Sequence, residues 1–146
     1  MAELVRGGRS CLTLEGAKAI LEAACAKARE IGVDMDVAVA DDGGHLLAFH
    51  RMDGAKLTSV SIAIDKAFTA ACTRLPTHKY AEVGGAGGPA FGIHASNQGR
   101  FVIFGGGVPI LHRGECLGAV GCSSGTPDQD RAVAEAGIAA LLARIG

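Results

Sequence analysis

Apolar residues recur at helical spacing in three stretches of the chain. In the first, from Leu14 to Ile31, they fall three or four residues apart, with Thr13 before them and Gly32 after them. Because Thr is a common N-cap and Gly a common helix terminator, this pattern predicts a helix. The same reasoning predicts a second helix from Thr58 to Arg74 and a third that begins after the cap residue Thr126.

Short runs of apolar and β-branched residues predict five strands. They lie at Met35–Asp41, at His45–Arg51, and near 101–104, 108–113 and 116–122. The links between consecutive strands are short, which favours antiparallel pairing. Residues 77–99 show no such pattern. The order α-ββ-α-βββ-α predicts one α+β domain over residues 1–146, with helices covering at least one face of the sheet.

Composition narrows the function classes. The chain is 49% hydrophobic but only 4% aromatic, so the core is expected to consist of small aliphatic residues. A net charge of −1 without a basic run argues against nucleic-acid binding.

No apolar stretch is long enough for a membrane span, and the N-terminus lacks the apolar segment of a signal peptide, so we expect a cytoplasmic protein. The five cysteines are interpreted as small buried hydrophobic residues.

Polar residues at the end of the second predicted strand are candidates for a site. His50, Arg51, Met52 and Asp53 follow one another where the strand gives way to a turn. Polar groups at a strand end can converge on the mouth of a pocket. The alternative is an ordinary turn with a local ion pair between Arg51 and Asp53.

Two further features have both a structural and a functional interpretation. Lys66 interrupts a mostly apolar helical run, so its side chain either extends to water or lines a cavity. Gly105, Gly106 and Gly107 are consecutive and precede Val-Pro. Such a run can form a concave nest of N–H groups for an anion or a carbonyl oxygen, or it can be a loose hairpin with a bulge.

The five histidines show no spacing typical of a three-ligand metal site. A single axial haem ligand needs no such pattern. His78 and His94 flank the glycine-rich stretch from Gly84 to Pro89 and are the candidates for iron ligation.

Several motifs together resemble the GlcG/HbpS family of haem-binding or haem-degrading-like proteins. The resemblance extends over nearly the whole chain from Leu12. It rests on Asp36–Ala48 (DVAVADDGGHLLA), Arg51–Ala55, Lys66–Ala67, Gly105–Ile110, Gly118–Gly121 and Thr126–Asp130. The same domain also occurs at the C-terminus of some corrinoid adenosyltransferases.

The resemblance implies a fold, an assembly and a pocket. The fold would be a profilin-like α/β sandwich with a five-stranded antiparallel sheet, and the assembly a homo-oligomer between a dimer and an octamer. The family pattern would gather one pocket from Arg51, Met52, Asp53, Lys66, Phe104, Gly105, Gly106 and Gly107.

Three functions are compatible with these residues. In the first, which family grounds favour, the protein binds haem or another carboxylated planar ligand, with Arg51 and Lys66 pairing with carboxylates. In the second, it is a cofactor-free isomerase or lyase for a small carboxylated or aromatic catabolite. There Lys66, Asp53 and His50 would be the catalytic residues and the glycine nest would hold an oxyanion. In the third, it is a structural or assembly protein.

Overall fold

The computed structural model describes residues 2–146 and shows a four-stranded antiparallel sheet between two helical layers. The strand order is β2-β1-β4-β3. Helices α1 and α4 pack together on one face, and α2 covers the other. The bounds are α1 Leu14–Glu30, β1 Asp36–Asp41, β2 Leu46–Arg51, α2 Ser59–Thr73, α3 Tyr80–Gly84, β3 Gly107–His112, β4 Glu115–Ser123 and α4 Pro127–Ile145.

Both long outer helices begin at the cap residues that the sequence predicts. The hydroxyl of Thr13 accepts a hydrogen bond from the Gly16 amide at 3.1 Å. At α4, Thr126 accepts from the Gln129 amide at 3.2 Å, and the Gln129 side chain accepts from the Thr126 amide at 3.0 Å. This capping box satisfies amides that the first turn of a helix leaves without partners, and it fixes where α4 starts.

The two faces of the sheet differ in side-chain size. Val37 and Val39 of β1 point into the larger core under α1 and α4. The alternate residues Ala38 and Ala40 face α2, which presents mostly alanines. Between α2 and the sheet there is no space for larger side chains, because a Cβ at Gly121 would overlap the carbonyl oxygen of Ala63. Small residues therefore let α2 lie close to the sheet.

The α+β class is confirmed, but the prediction of five strands is wrong. Residues 101–104 form no strand. Instead, the amide of Val102 donates to the Thr69 hydroxyl at 3.1 Å, and the ring of Phe101 packs edge-on against Tyr80 at 4.8 Å. Because α2 supplies the hydrogen-bond partner and α3 the aromatic contact, Phe101 and Val102 are buried without pairing in the sheet.

The segment between α2 and β3 consists of short helical turns. Single 3₁₀ turns at Thr77–Lys79, Ile93–Ala95 and Asn97–Gly99 accompany the one-turn helix α3. A hydrogen bond fastens the start of the segment to β3, since the hydroxyl of Thr77 accepts from the Gly107 amide at 2.9 Å. His78 is therefore held beside the triple glycine.

The five cysteines differ in their burial. Only Cys25 and Cys122 are buried, whereas Cys11 and Cys72 are exposed, so the interpretation of all five as buried residues is wrong. Exposure follows from position, because Cys11 precedes α1 and Cys72 lies in the last turn of α2. Across residues 2–146, no helix combines the length and the apolar character that a membrane crossing needs.

Candidate functional site

The predicted site residues are distributed over separate clefts rather than one pocket. His50, Arg51, Met52 and Asp53 line a cleft of about 530 Å³ between the end of β2 and α1, here called the β2 cleft. Lys66 and Phe104 line a different cleft of about 240 Å³ between the first turns of α2 and α4, here called the α2/α4 cleft. His78 lines a third, of about 450 Å³, here called the His78 cleft.

Arg51 and Asp53, in the β2 cleft, are both exposed. No ion pair joins them in the described chain, so the local pair of the alternative interpretation does not form. Met52 anchors the turn instead. Its amide donates to the Met35 carbonyl at 3.0 Å, and its sulfur accepts from the Met35 amide at 3.3 Å. His50 Nδ1 lies 3.8 Å from the sulfur of Cys25.

Lys66 is fully buried and does not extend to water. Its ammonium donates to Asp130 Oδ2 at 2.8 Å and to the Cys122 carbonyl at 2.9 Å, and it lies 5.0 Å from the centre of the Phe104 ring. Burial raises the pKa of Asp130, while Lys66 and the Gly125 amide oppose that rise. The result is an ion pair enclosed where α2, β4 and α4 meet.

The triple glycine lies against this ion pair. A Cβ on Gly106 would be 2.6 Å from Lys66 Nζ and 2.6 Å from the Cys122 carbonyl oxygen, and Gly106 has a φ of +129°. The carbonyl of Gly106 accepts from the Cys122 amide at 2.9 Å. The Gly107 amide is bonded to Thr77 and so is not free to hold an anion. Close approach of backbone to the ion pair accounts for glycine at this position.

The two candidate histidines have different surroundings. His94 is exposed beside Phe91. His78 is half-buried, and its Nδ1 is fully buried with no hydrogen-bond partner among residues 2–146. Burial lowers the pKa of His78, and the charges of Arg131 and Lys79 lower it further against the opposing effect of Glu135 and Asp128. Its imidazole therefore favours the neutral form, which is the form that binds metals.

The remaining walls of the His78 cleft are mostly apolar. Leu75, Tyr80 and Val83 supply the apolar surface, while Lys79 and Glu82 supply one positive and one negative charge. Across residues 2–146 there is no group of three or more His, Cys, Asp or Glu side chains placed to hold a metal ion. Any metal bound here would therefore bring most of its own ligands, as the iron of haem does.

Besides Lys66, six polar residues are buried, and sequence reasoning proposed none of them for a site: Asp36, Ser59, Thr69, Thr77, Ser123 and Asp130. Asp130 lies 64 positions from Lys66, so only the need of a buried lysine for a partner could have pointed to it. Neither oxygen of Asp36 has a hydrogen-bond partner in the part of the chain that the structure describes. Burial raises the pKa of Asp36, with Arg51 and Ser124 opposing the rise.

The fold and these clefts define a small α+β domain with one sheet, two helical layers and several separate ligand-sized clefts. A family model described as "Haem degrading protein HbpS-like" matches residues 12–139. The chain belongs to this family, which confirms the resemblance to GlcG/HbpS proteins.

Individual relatives agree with this assignment. A 15.0 kDa protein from the dhaT-dhaS intergenic region of Citrobacter freundii is 45% identical over 85% of this chain and 87% of its own length. The crystal structure of Klebsiella pneumoniae protein ORFY has a TM-score of 0.92 at 33% identity, covering 97% of this chain and 99% of that one. The crystal structure of a PduOC:heme complex has a TM-score of 0.86 at 31% identity, covering 90% of this chain and 95% of that one.

Proposed function

We propose that the protein binds haem, with His78 as the axial ligand of the iron. The observation that supports this most directly is the half-buried His78 imidazole, which lines an apolar cleft and whose pKa is lowered, so that the ring favours its neutral form. Nδ1 is fully buried and has no hydrogen-bond partner in the described chain, so the iron would bind the other ring nitrogen, Nε2. The family description and the haem complex of PduOC, a relative of similar fold, favour haem over other planar ligands.

The His78 cleft has the composition that a haem site needs. Its volume of about 450 Å³ lies within the usual range for ligand pockets. Leu75, Tyr80 and Val83 offer apolar surface for a porphyrin face, and the ammonium of Lys79 offers a partner for a propionate. Bound haem would supply the ligand-binding and redox chemistry of its iron, while the protein's part is to hold, orient and partly desolvate it.

The β2 cleft is the competing place for haem. It holds His50 between two arginines, Arg29 and Arg51. However, His50 Nδ1 already faces the Cys25 thiol at 3.8 Å. Four of the eight residues that line the β2 cleft are charged, against two of the six that line the His78 cleft, so the β2 cleft offers less apolar surface for a porphyrin. This comparison favours the His78 cleft.

A haem titration of the full chain tests the proposal. The wild type is expected to show saturable binding at one haem per chain, with a Soret band shifted from that of free haem. His78→Ala should weaken binding at least tenfold, about 1.4 kcal/mol, and added imidazole should restore the wild-type Soret position. His94→Ala, the matched control on an exposed histidine, should bind like the wild type.

Two results would count against the proposal in different ways. Loss of binding in His50→Ala with His78→Ala unaffected would place haem in the β2 cleft and refute the assignment of His78. Absence of any saturable Soret change in the wild type would refute haem binding as a whole.

A further inference from the structure

We propose that the α2/α4 cleft is a second, independent ligand site, which takes a small monocarboxylate. It does not depend on haem binding, because none of the residues that line the His78 cleft lines this one. Its volume of about 240 Å³ is below the usual range for drug-sized ligands, so it suits an acid of a few heavy atoms and not a porphyrin.

Two serines that line this cleft are buried, and their hydroxyls make no hydrogen bond within the described residues. Ser59, in the first turn of α2, is 3% exposed, and Ser123, at the end of β4, is 5% exposed. Both side chains line the cleft, and within residues 2–146 neither hydroxyl makes a hydrogen bond. The fully buried side-chain polar atoms without a partner among residues 2–146 belong to Asp36 and His78, so the two serine hydroxyls keep access to the cavity and are available to a polar occupant.

The charge of the cleft selects an anion. No side chain caps the first turn of α2 and no acidic residue lies in it, so the dipole of this 15-residue helix adds positive potential there. The amides of Ser59 and Val60 already donate to the carbonyls of Lys56 and Leu57, so the helix contributes its dipole rather than these two donors. Lys56 lies just before that turn, where its amide donates to the Ser124 hydroxyl at 2.8 Å, and its charge acts on Asp130. The Lys66 ammonium uses two of its three N–H groups on Asp130 and Cys122, which leaves one for a ligand.

The same charges limit the anion to a single negative charge. Lys66 and Asp130 neutralise each other, so Lys56 and the helix end supply the only net positive charge among the groups lining the cleft. A dianion such as phosphate would meet the Asp130 carboxylate without a second free cation. Phe104 and Ile62 add apolar surface, which suits a short hydrocarbon tail. Together these features match a carboxylate with a small apolar group.

Propionate is a suitable probe, and propionamide is its neutral counterpart. In a titration of the ¹⁵N-labelled full chain followed by amide NMR shifts, propionate should cause saturable changes around Ser59, Ser123 and Ser124. Propionamide should cause none. Lys56→Gln, an exposed substitution that leaves the fold intact, should weaken propionate binding at least fivefold. The matched control Lys79→Gln removes the same charge in the His78 cleft and should have no effect.

Replacing the hydroxyls of Ser59 and Ser123 is a second test, with smaller expected changes in affinity. Ser59→Ala and Ser123→Ala should each weaken propionate binding about threefold or more. Inorganic phosphate that binds as tightly as propionate would overturn the assignment to monocarboxylates. Shifts that appear equally with propionamide, or that survive Lys56→Gln unchanged, would overturn the site itself. All of these outcomes are independent of whether haem binds.

Discussion

At the scale of single residues, two buried charged groups behave in opposite ways. Lys66 has an ion-pair partner and a carbonyl acceptor, whereas the equally buried Asp36 has no hydrogen-bond partner for either oxygen in the described chain. Alternation along β1 places Asp36 on the same face as Ala38 and Ala40, beside the start of α2. An unpaired buried carboxyl is costly when ionised, so Asp36 should lower stability at neutral pH.

Replacing Asp36 with Asn should stabilise the protein at pH 7. The raised pKa means that the folded state binds a proton more tightly than the unfolded state does. Stability is therefore lost as pH rises from the unfolded value, about 4, through the folded pKa. We expect Asp36→Asn to increase the free energy of unfolding by on the order of 1 kcal/mol at pH 7. Below about pH 4 the gain should disappear.

Urea denaturation at both pH values measures this effect. Asp53→Asn is the control, because Asp53 is exposed and its substitution should change stability little at either pH. A variant Asp36→Asn that is less stable than the wild type at pH 7 would show that the carboxylate has a stabilising partner.

At the scale of elements, local signals predicted the helices and most strands well. Cap residues and apolar spacing depend only on neighbours in sequence, and the starts of α1 and α4 follow from them. The prediction of a strand at 101–104 was wrong because an apolar run indicates burial but does not show which element covers it. Thr69 and Tyr80, which bind it, are distant in sequence.

The two helices α2 and α4 allow a matched test of capping. Thr126 accepts a capping hydrogen bond, whereas Thr58, at the equivalent position of α2, makes none. Thr126→Ala should therefore lower the free energy of unfolding by about 1 kcal/mol. Thr58→Ala should lower it by less than about 0.5 kcal/mol. Chemical denaturation of both variants measures these changes in the free energy of unfolding. Equal losses in the two variants would contradict a capping role for the Thr126 hydroxyl.

At the scale of the whole molecule, the residues with candidate chemistry are separated by the sheet and its two helical layers. The family resemblance implied one pocket for Arg51, Lys66 and the glycines, and nothing in the spacing of these residues reveals which cleft each would line. The structure puts Arg51 on the edge strand β2 and Lys66 on α2, where its ammonium bonds to β4, two strands away from β2 in the sheet. Gly106 could be identified as unusual from sequence, but its contact with the ion pair could not.

That ion pair joins the two helical layers, since Lys66 belongs to α2 and Asp130 to α4. Lys66→Met leaves the Asp130 carboxylate buried without its cation and should destabilise the protein by about 3–5 kcal/mol. Adding Asp130→Asn removes the unpaired charge but keeps an acceptor for the Gly125 amide, so the double variant should recover most of the loss. Lys18→Met breaks the exposed pair with Glu15 and should change stability by less than about 0.5 kcal/mol.

Thermal and urea unfolding of these variants measure the coupling between the layers. In the Lys66→Met variant the loss should shrink as pH falls, because protonation of Asp130 removes the buried charge that the lysine compensated. A double variant as unstable as Lys66→Met alone would mean that Lys66 stabilises the fold through its packing and its bond to the Cys122 carbonyl rather than through Asp130. In that case the contact between layers at this end of the sheet would depend on side-chain shape and not on charge.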